Sequence, residues 1–258
     1  MAHTKNLPDR IADELIARIF TAHYAPGDRL PAERALGEEL GVDRTSLRMA
    51  LRQLSRMNLI EARRGSGITV LDYRTHAGLD FLAAVLGVPG LELGGAFLLE
   101  ALAHWERALP FVAATALSRG TPAQRAALDA SFEAQLAALD QGAEIAEVAG
   151  IAVEVQDQII ETLGDVTLQL LANSTRRLRQ ELTRIHYELN DVRAQLERER
   201  SLTALAFAGQ VPADQVREAH AAYLKVQHAA LRAHLTELPP QPRRTTRWEP
   251  PIKSRRTS

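Results

Sequence analysis

The sequence has no cysteine, which excludes disulfides, thiolate metal sites and a cysteine nucleophile. It also lacks charge of one sign. Its 31 Lys/Arg stand against 32 Asp/Glu, so the chain is no basic coat for nucleic acid, and charge has to be read locally. Long hydrophobic runs are missing as well. The longest mainly apolar stretch, Phe81 to Leu91, is broken by Gly87, Pro89 and Gly90 and is too short to span a bilayer. No membrane partner is expected. Met1 to Lys5 lead into no apolar signal-peptide core, so a cytoplasmic location is expected. What is present is ordinary soluble material: 258 residues, 46% hydrophobic and 24% charged. That length suits two domains better than one.

The first part reads as short helices and two strands. Ile11, Leu15, Ile16 and Ile19 recur at helical spacing behind Pro8 and Asp9. Ala25-Pro26-Gly27-Asp28 is a turn. A short helix is expected over 31–40, with Pro31 in its first turn and Gly41 as its stop. Asp43 then caps a third helix to about Met57, with Leu47, Ala50, Leu51 and Leu54 as its apolar face. Strands near 59–63 and 68–71 flank a glycine-rich tip, Arg64-Gly65-Ser66-Gly67. From Thr75 the texture changes to Ala/Leu-rich helical periodicity. Helices are expected near 76–86, 93–119, 122–140, 144–163, 165–189, 191–208 and 212–236, without a repeat of solenoid type.

The fold class expected is therefore mainly α: an N-terminal winged helix-turn-helix over 1–74 and a C-terminal all-helical bundle over 92–238. Residues 75–91 are read as a linker, with the hinge between wing and bundle at 72–90. Residues 239–258 are Pro- and Arg-rich and are read as a disordered basic tail. That tail carries Arg243, Arg244, Arg247, Lys253, Arg255 and Arg256 against Glu249, and is expected to add salt-sensitive DNA affinity.

In a winged helix-turn-helix the third helix presents its outer face to the major groove. Here that face holds Arg44, Thr45, Ser46, Arg48, Met49 and Arg52. Spacing by four keeps Arg44, Arg48 and Arg52 on one side of a helix with 3.6 residues per turn. An arginine fork donates two hydrogen bonds to guanine O6 and N7 or clamps a phosphate. The small hydroxyls of Thr45 and Ser46 let the backbone approach and bond phosphate oxygens. A merely solvated arginine face is the alternative, and the preceding turn and the basic wing tip weigh against it. Gly65-Ser66-Gly67 is too weak a pattern for a nucleotide loop, since it joins two short strands and opens no helix. As a wing tip, its glycines permit a tight turn and Arg64 reaches the minor groove or a phosphate. A purely structural hairpin remains open.

The run from Pro26 to Leu36, then Gly41 to Arg48, Ala50 to Leu54 and Gly65 to Val70, resembles the GntR family of bacterial regulators. The resemblance spans nearly the whole first domain in order. It implies DNA contacts by Arg34, Arg44, Thr45, Ser46 and Arg48, with Arg64 and Gly65 in the wing. Arg34 would anchor to a phosphate, and Arg44 and Arg48 would read bases. Met57-Asn58 depart from the family, which often has glycine there.

The second part resembles the FadR branch of that family, whose C-terminal helical bundle surrounds an effector cavity. The local likeness is to the fatty-acid-responsive member, at Gly78-Leu79-Asp80, Thr183 to Tyr187 and Asp214 to Glu218. Tyr223 falls where that member has a tyrosine beside an acyl-CoA cavity. Most of the branch holds a divalent metal through Asp-x-x-x-His and further histidines. Here Ala152 and Gln156 take the first two positions and Lys225 a third, with His228 close by. No metal and no other cofactor is expected. His104, His186, His220, His228 and His234 form no His-x-x-x-His pair. His104-Trp105-Glu106-Arg107 is a polar-aromatic cluster that either faces a ligand carboxylate or lies on a helix surface.

The function expected is a ligand-responsive, sequence-specific DNA-binding transcription regulator, and not an enzyme. As a homodimer on a palindromic operator, it would be a repressor released by an acyl-CoA-type metabolite. Tyr223, Arg107 and Arg184 are the candidate effector contacts. Two alternatives stay open: a metal-dependent sensor of a small carboxylic acid such as a sugar acid or amino acid, and a DNA binder without effector. An aminotransferase-like enzyme domain is excluded by a C-terminal part that is too short and without strands.

Overall fold

A computed structural model describes residues 5–63, 65–207 and 212–251. The chain divides into two compact units, one of Met1–Leu93 with Gln241–Ser258 and one of Gly94–Pro240.

The first unit opens with α1, Leu7–Phe20, whose N-terminus is capped by Asn6 and started by Pro8. Its Ile11, Leu15, Ile16 and Ile19 are buried, as their spacing demands. α2, Glu33–Leu40, ends at Gly41 in the left-handed conformation (φ 66°). α3, Arg44–Arg56, is capped by Asp43 and buries Leu47, Ala50, Leu51 and Leu54. Leu47 and Leu54 are fully buried, and each side chain contributes about 1.5–3 kcal/mol by leaving water. α1 packs on α3. After α3 the chain turns at Asn58, which holds φ 54°. Asparagine is one of the few residues with a side chain that visit that region, so it can make the turn without glycine. β1, Ile60–Arg63, and β2, Gly67–Val70, form an antiparallel hairpin from Ile60↔Val70 to Arg63↔Gly67.

Two segments differ from their sequence reading. The stretch read as a linker and hinge is folded into this unit. It contributes α4, Tyr73–His76, and α5, Leu79–Val85, with Phe81 and Val85 buried. The reason is an aromatic cluster: Phe20, Tyr73 and Phe81 meet with ring centroids 5.1–6.2 Å apart. The stretch read as a disordered tail is ordered through Pro251. Its β4, Arg243–Arg244, pairs antiparallel with β3, Leu91–Glu92. Arg243 bonds Glu92, and Arg244 bonds the buried Glu14. Arg243 and Arg244, two of the six cations that suggested a solvated end, have carboxylate partners, and the backbone has a strand to pair with. Residues 252–258 lie outside the described residues.

The second unit is all helical among its described residues. It comprises α6 (Gly95–Arg119), α7 (Pro122–Asp140), α8 (Ile145–Thr162), α9 (Val166–Glu188), α10 (Val192–Phe207), α11 (Ala213–Gln227) and α12 (Ala229–Glu237). α7 begins with a reciprocal capping box between Thr121 and Gln124, and α9 with an Asp165 cap. The single helix read over 212–236 is two, broken at His228. α8 packs against α9 and α7, and α11 against α6. Part of the core gathers Phe132, Val148, Ala149, Ala152, Tyr187, Val192 and Leu196.

Candidate nucleic-acid interface and buried polar centre

The start of α3 is built by Asp43. Its carboxylate accepts the Ser46 backbone N–H at 2.9 Å and the Ser46 hydroxyl at 2.7 Å. Those bonds hold the exposed Asp43 carboxyl below its ordinary pKa. Ser46 therefore serves the cap, while Thr45 is exposed beside it. The Arg44 side chain is 78% exposed and that of Arg48 53%. Both guanidiniums face Glu33 only loosely, at 3.6 and 3.9 Å. Arg34, the second residue of α2, has a side chain 91% exposed and bonds Glu38 at 3.1 Å. Surface pairs of this kind contribute little, so a phosphate or a base edge can replace them at small cost. At the hairpin tip, Gly65 and Gly67 hold φ 80° and 84°, and Ser66 N–H closes the turn on Arg63 O at 3.0 Å. A side chain would be strained at either glycine. Arg64 lies outside the described residues.

The three effector candidates fare differently. Arg184 is held by Glu181 and Glu188 on its own helix. Arg107 is exposed on α6. Only Tyr223 reaches a buried polar centre in the second unit, where its hydroxyl bonds Glu199 Oε1 at 3.2 Å. Gln195 Nε2 donates to the same oxygen at 2.9 Å. Burial raises the pKa of both Glu199 and Tyr223.

This centre also contains three histidines. His186 Nε2 lies 2.9 Å from Gln195 Oε1, and His228 Nδ1 lies 3.0 Å from Glu106 Oε1. The rings of His186 and His228 meet edge to face at 5.1 Å, with Trp105 6.1 Å from His228. Burial, and then the neighbouring His228, push His186 down to about 4. His220 and His228 are lowered too, both chiefly by burial. Arg232 bonds Glu106 from the other side. Among the described residues, Trp105 Nε1, Thr183 Oγ1 and His220 Nδ1 are buried without a hydrogen-bond partner. Each such group costs about 1–3 kcal/mol, and a polar ligand that met them would recover it.

Of the polar-aromatic cluster read on α6, Trp105 and Glu106 face this centre, while His104 and Arg107 are exposed. The sequence reading missed His186, His220, His228, Glu199 and Glu106 as one group. The only local signal was a polar residue on the inward stripe of each helix. The positions counted as lost metal ligands are otherwise engaged: Ala152 is buried in apolar core, and Gln156 accepts from Arg179 at 3.0 Å. Among the described residues no three His, Cys, Asp or Glu are grouped to hold a metal ion. Elsewhere in the unit, an open groove of about 330 Å³ is lined by Ala116, Leu128, Val155 and Ile159 among others.

A capped helix presenting exposed arginines, a preceding turn and a glycine-tipped hairpin define a winged helix-turn-helix DNA-binding protein. The profile of the bacterial regulatory proteins of the gntR family matches residues 7–70. The HTH-type transcriptional regulator Mce2R of Mycobacterium tuberculosis is 33% identical over 172 residues, 67% of this chain and 70% of that protein. The chain belongs to the gntR family of bacterial regulatory proteins: it is a DNA-binding transcription regulator and not an enzyme. The fatty acid metabolism regulator protein of Pasteurella multocida is 36% identical over 87 residues, 33% of this chain and 36% of that protein. A solved structure of Lar, which controls expression of the Listeria monocytogenes agr system, covers 87% of this chain and 97% of its own. Its TM-score is 0.51 at 16% identity, a likeness of fold. Among the described residues no helix is long and apolar enough to cross a membrane.

Proposed function

We propose that the protein is a ligand-responsive repressor that reads a palindromic operator as a homodimer. The observation that carries the DNA reading is the exposed, loosely paired Arg44 and Arg48 on the first turns of α3. Arg44 and Arg48 read bases, Arg34 and Thr45 hold phosphates, and Arg64 with Gly65 follows the adjacent groove. Val166 and Leu170, exposed one turn apart on α9, offer an apolar face for a second copy. Selecting duplexes from random DNA, then titrating the winner and its single-base variants, tests this. A two-fold-symmetric site is expected, and equal affinity for every duplex would refute it.

The effector occupies the buried polar centre and favours a conformer that holds DNA poorly, since only differential affinity shifts such an equilibrium. The ligand class we favour is a metal-free, acyl-CoA-type metabolite. Support comes from Tyr223 in the centre. A second reading, a small carboxylic acid, draws on the compact and polar character of the centre. Thermal shift with acyl-CoAs, short carboxylates and divalent cations separates them. A ligand at a hundredfold excess over its Kd adds about 2.7 kcal/mol to native stability. Stabilisation by a short carboxylate alone would remove the acyl-CoA reading.

A further inference from the structure

The second unit is inserted into the first. The chain leaves the DNA-binding unit after Leu93 and re-enters it at Gln241. Where it enters and leaves the helical unit it is bonded to itself: Gly95 N–H meets Pro239 O at 2.8 Å, and Ala96 N–H meets Pro240 O at 3.3 Å. A Cβ at Gly95 would collide with the Leu235 carbonyl oxygen, so glycine permits this close approach. Within the first unit β3 pairs with β4, and Thr245 N–H donates to Gly90 O at 2.8 Å.

From β4 the chain runs on as a strap across the DNA-binding unit. Arg244 bonds Glu14 on α1, and Arg10 lies over the Trp248 ring at 5.7 Å, with Nη2 3.3 Å from Glu249 O. The Trp248 indole N–H donates to Leu40 O at 2.9 Å. Leu40 closes α2, and its carbonyl is one of the end groups a helix leaves unsatisfied. A Cβ on Gly41 would come within 2.9 Å of Pro250 Cβ. The strap therefore ends on the turn between α2 and α3, the turn that aims Arg44 and Arg48. Arg243 and Arg244 are used for docking, on Glu92 and Glu14, and are not free for phosphates.

We propose that residues 241–251 position the recognition helix and form a second tether, beside the 73–93 segment, through which the helical unit acts on the helix-turn-helix. Trp248 holds the turn, and the paired strands carry the chain that moves it. This inference rests on the DNA-binding reading only for its second test below.

The first test uses Trp248→Phe in the full chain, which removes one donor and keeps the ring, with Trp248→Ala as the stronger variant. Hydrogen exchange at the Gly41 and Val42 amides is expected to quicken by about tenfold as the turn opens locally, at unchanged helix content. Exchange at wild-type rates in both variants would overturn the positioning role, with no DNA needed. If the alanine variant fails to fold, the phenylalanine variant decides. The second test inserts about eight Gly/Ser residues between Pro240 and Gln241, leaving the strap docked on a slack tether. Affinity for the selected full operator is expected to fall about tenfold relative to a single half-site. An unchanged ratio would overturn the tether. Loss of half-site binding by wild type would sink the DNA reading and leave the exchange result standing.

Discussion

The two units place their candidate polar residues differently. The DNA-binding unit turns Arg34, Arg44 and Arg48 outward on short helices over a core of Ile11, Leu15, Leu47 and Leu54. The helical unit turns His186, His228, Gln195 and Arg179 inward, and among the described residues atoms of Trp105, Thr183 and His220 have no hydrogen-bond partner. Exposed charge is cheap in water and free to meet a polyanion. Buried polarity is costly unless it is paired.

The largest expected effect tests the apolar half of that contrast. Leu54→Ala should cost the DNA-binding unit about 2–5 kcal/mol, since a fully buried leucine leaves a cavity. Urea denaturation of full-length protein checks it, and a loss under 1 kcal/mol would mean that α3 is loosely packed.

Next comes acid sensitivity, which belongs to the helical unit. His186 is held near pKa 4 against an ordinary 6.5. Between those values the unfolded chain binds the proton and the folded one does not, so stability falls as pH drops from 6.5 toward 4. The gap converts to at most about 3 kcal/mol, with His220 and His228 acting in the same direction. Glu199 works oppositely, since its raised pKa costs stability as pH rises above its ordinary 4.5. His186→Gln should flatten the pH 7 to 5 denaturation profile, and an unchanged slope would place the acid sensitivity elsewhere.

Arg48→Ala should weaken specific binding by about 1–3 kcal/mol and relax preference at one operator position. Titration on operator variants reads both effects. If neither changes, α3 is not the reading helix. Asp43→Ala removes an N-cap and should lower the melting temperature. Arg34→Ala is the mildest. It should weaken binding to all sequences alike and lower the salt slope by about 0.9, and a base-specific loss would move Arg34 into the reading set.

Legibility followed the same divide. Each DNA-binding element announced itself within about a dozen residues: Asp43 as cap, Leu47-Ala50-Leu51-Leu54 as inward face, Arg44 and Arg48 as outward face, Gly65-Ser66-Gly67 as tip. Helix boundaries in the second unit were read closely as well, except at His228, where helix continues on both sides of the break. The segment after Asp72 showed a helix near 76–86 but no sign that its aromatic residues, Tyr73 and Phe81, pack into the first unit. Their partner, Phe20, stands about fifty residues earlier and gives no local sign of the contact.

By itself, then, the sequence determined the elements, their caps and which arginines of α3 face outward, because periodicity and capping act between residues a few positions apart. Only the tertiary structure decided which polar residues share a buried centre and where the C-terminal strap lies. His228 meets Glu106 across 122 positions and Trp248 meets Leu40 across 208. Contacts at that separation depend on how packed helices and paired strands bring distant segments together, and no local pattern encodes them.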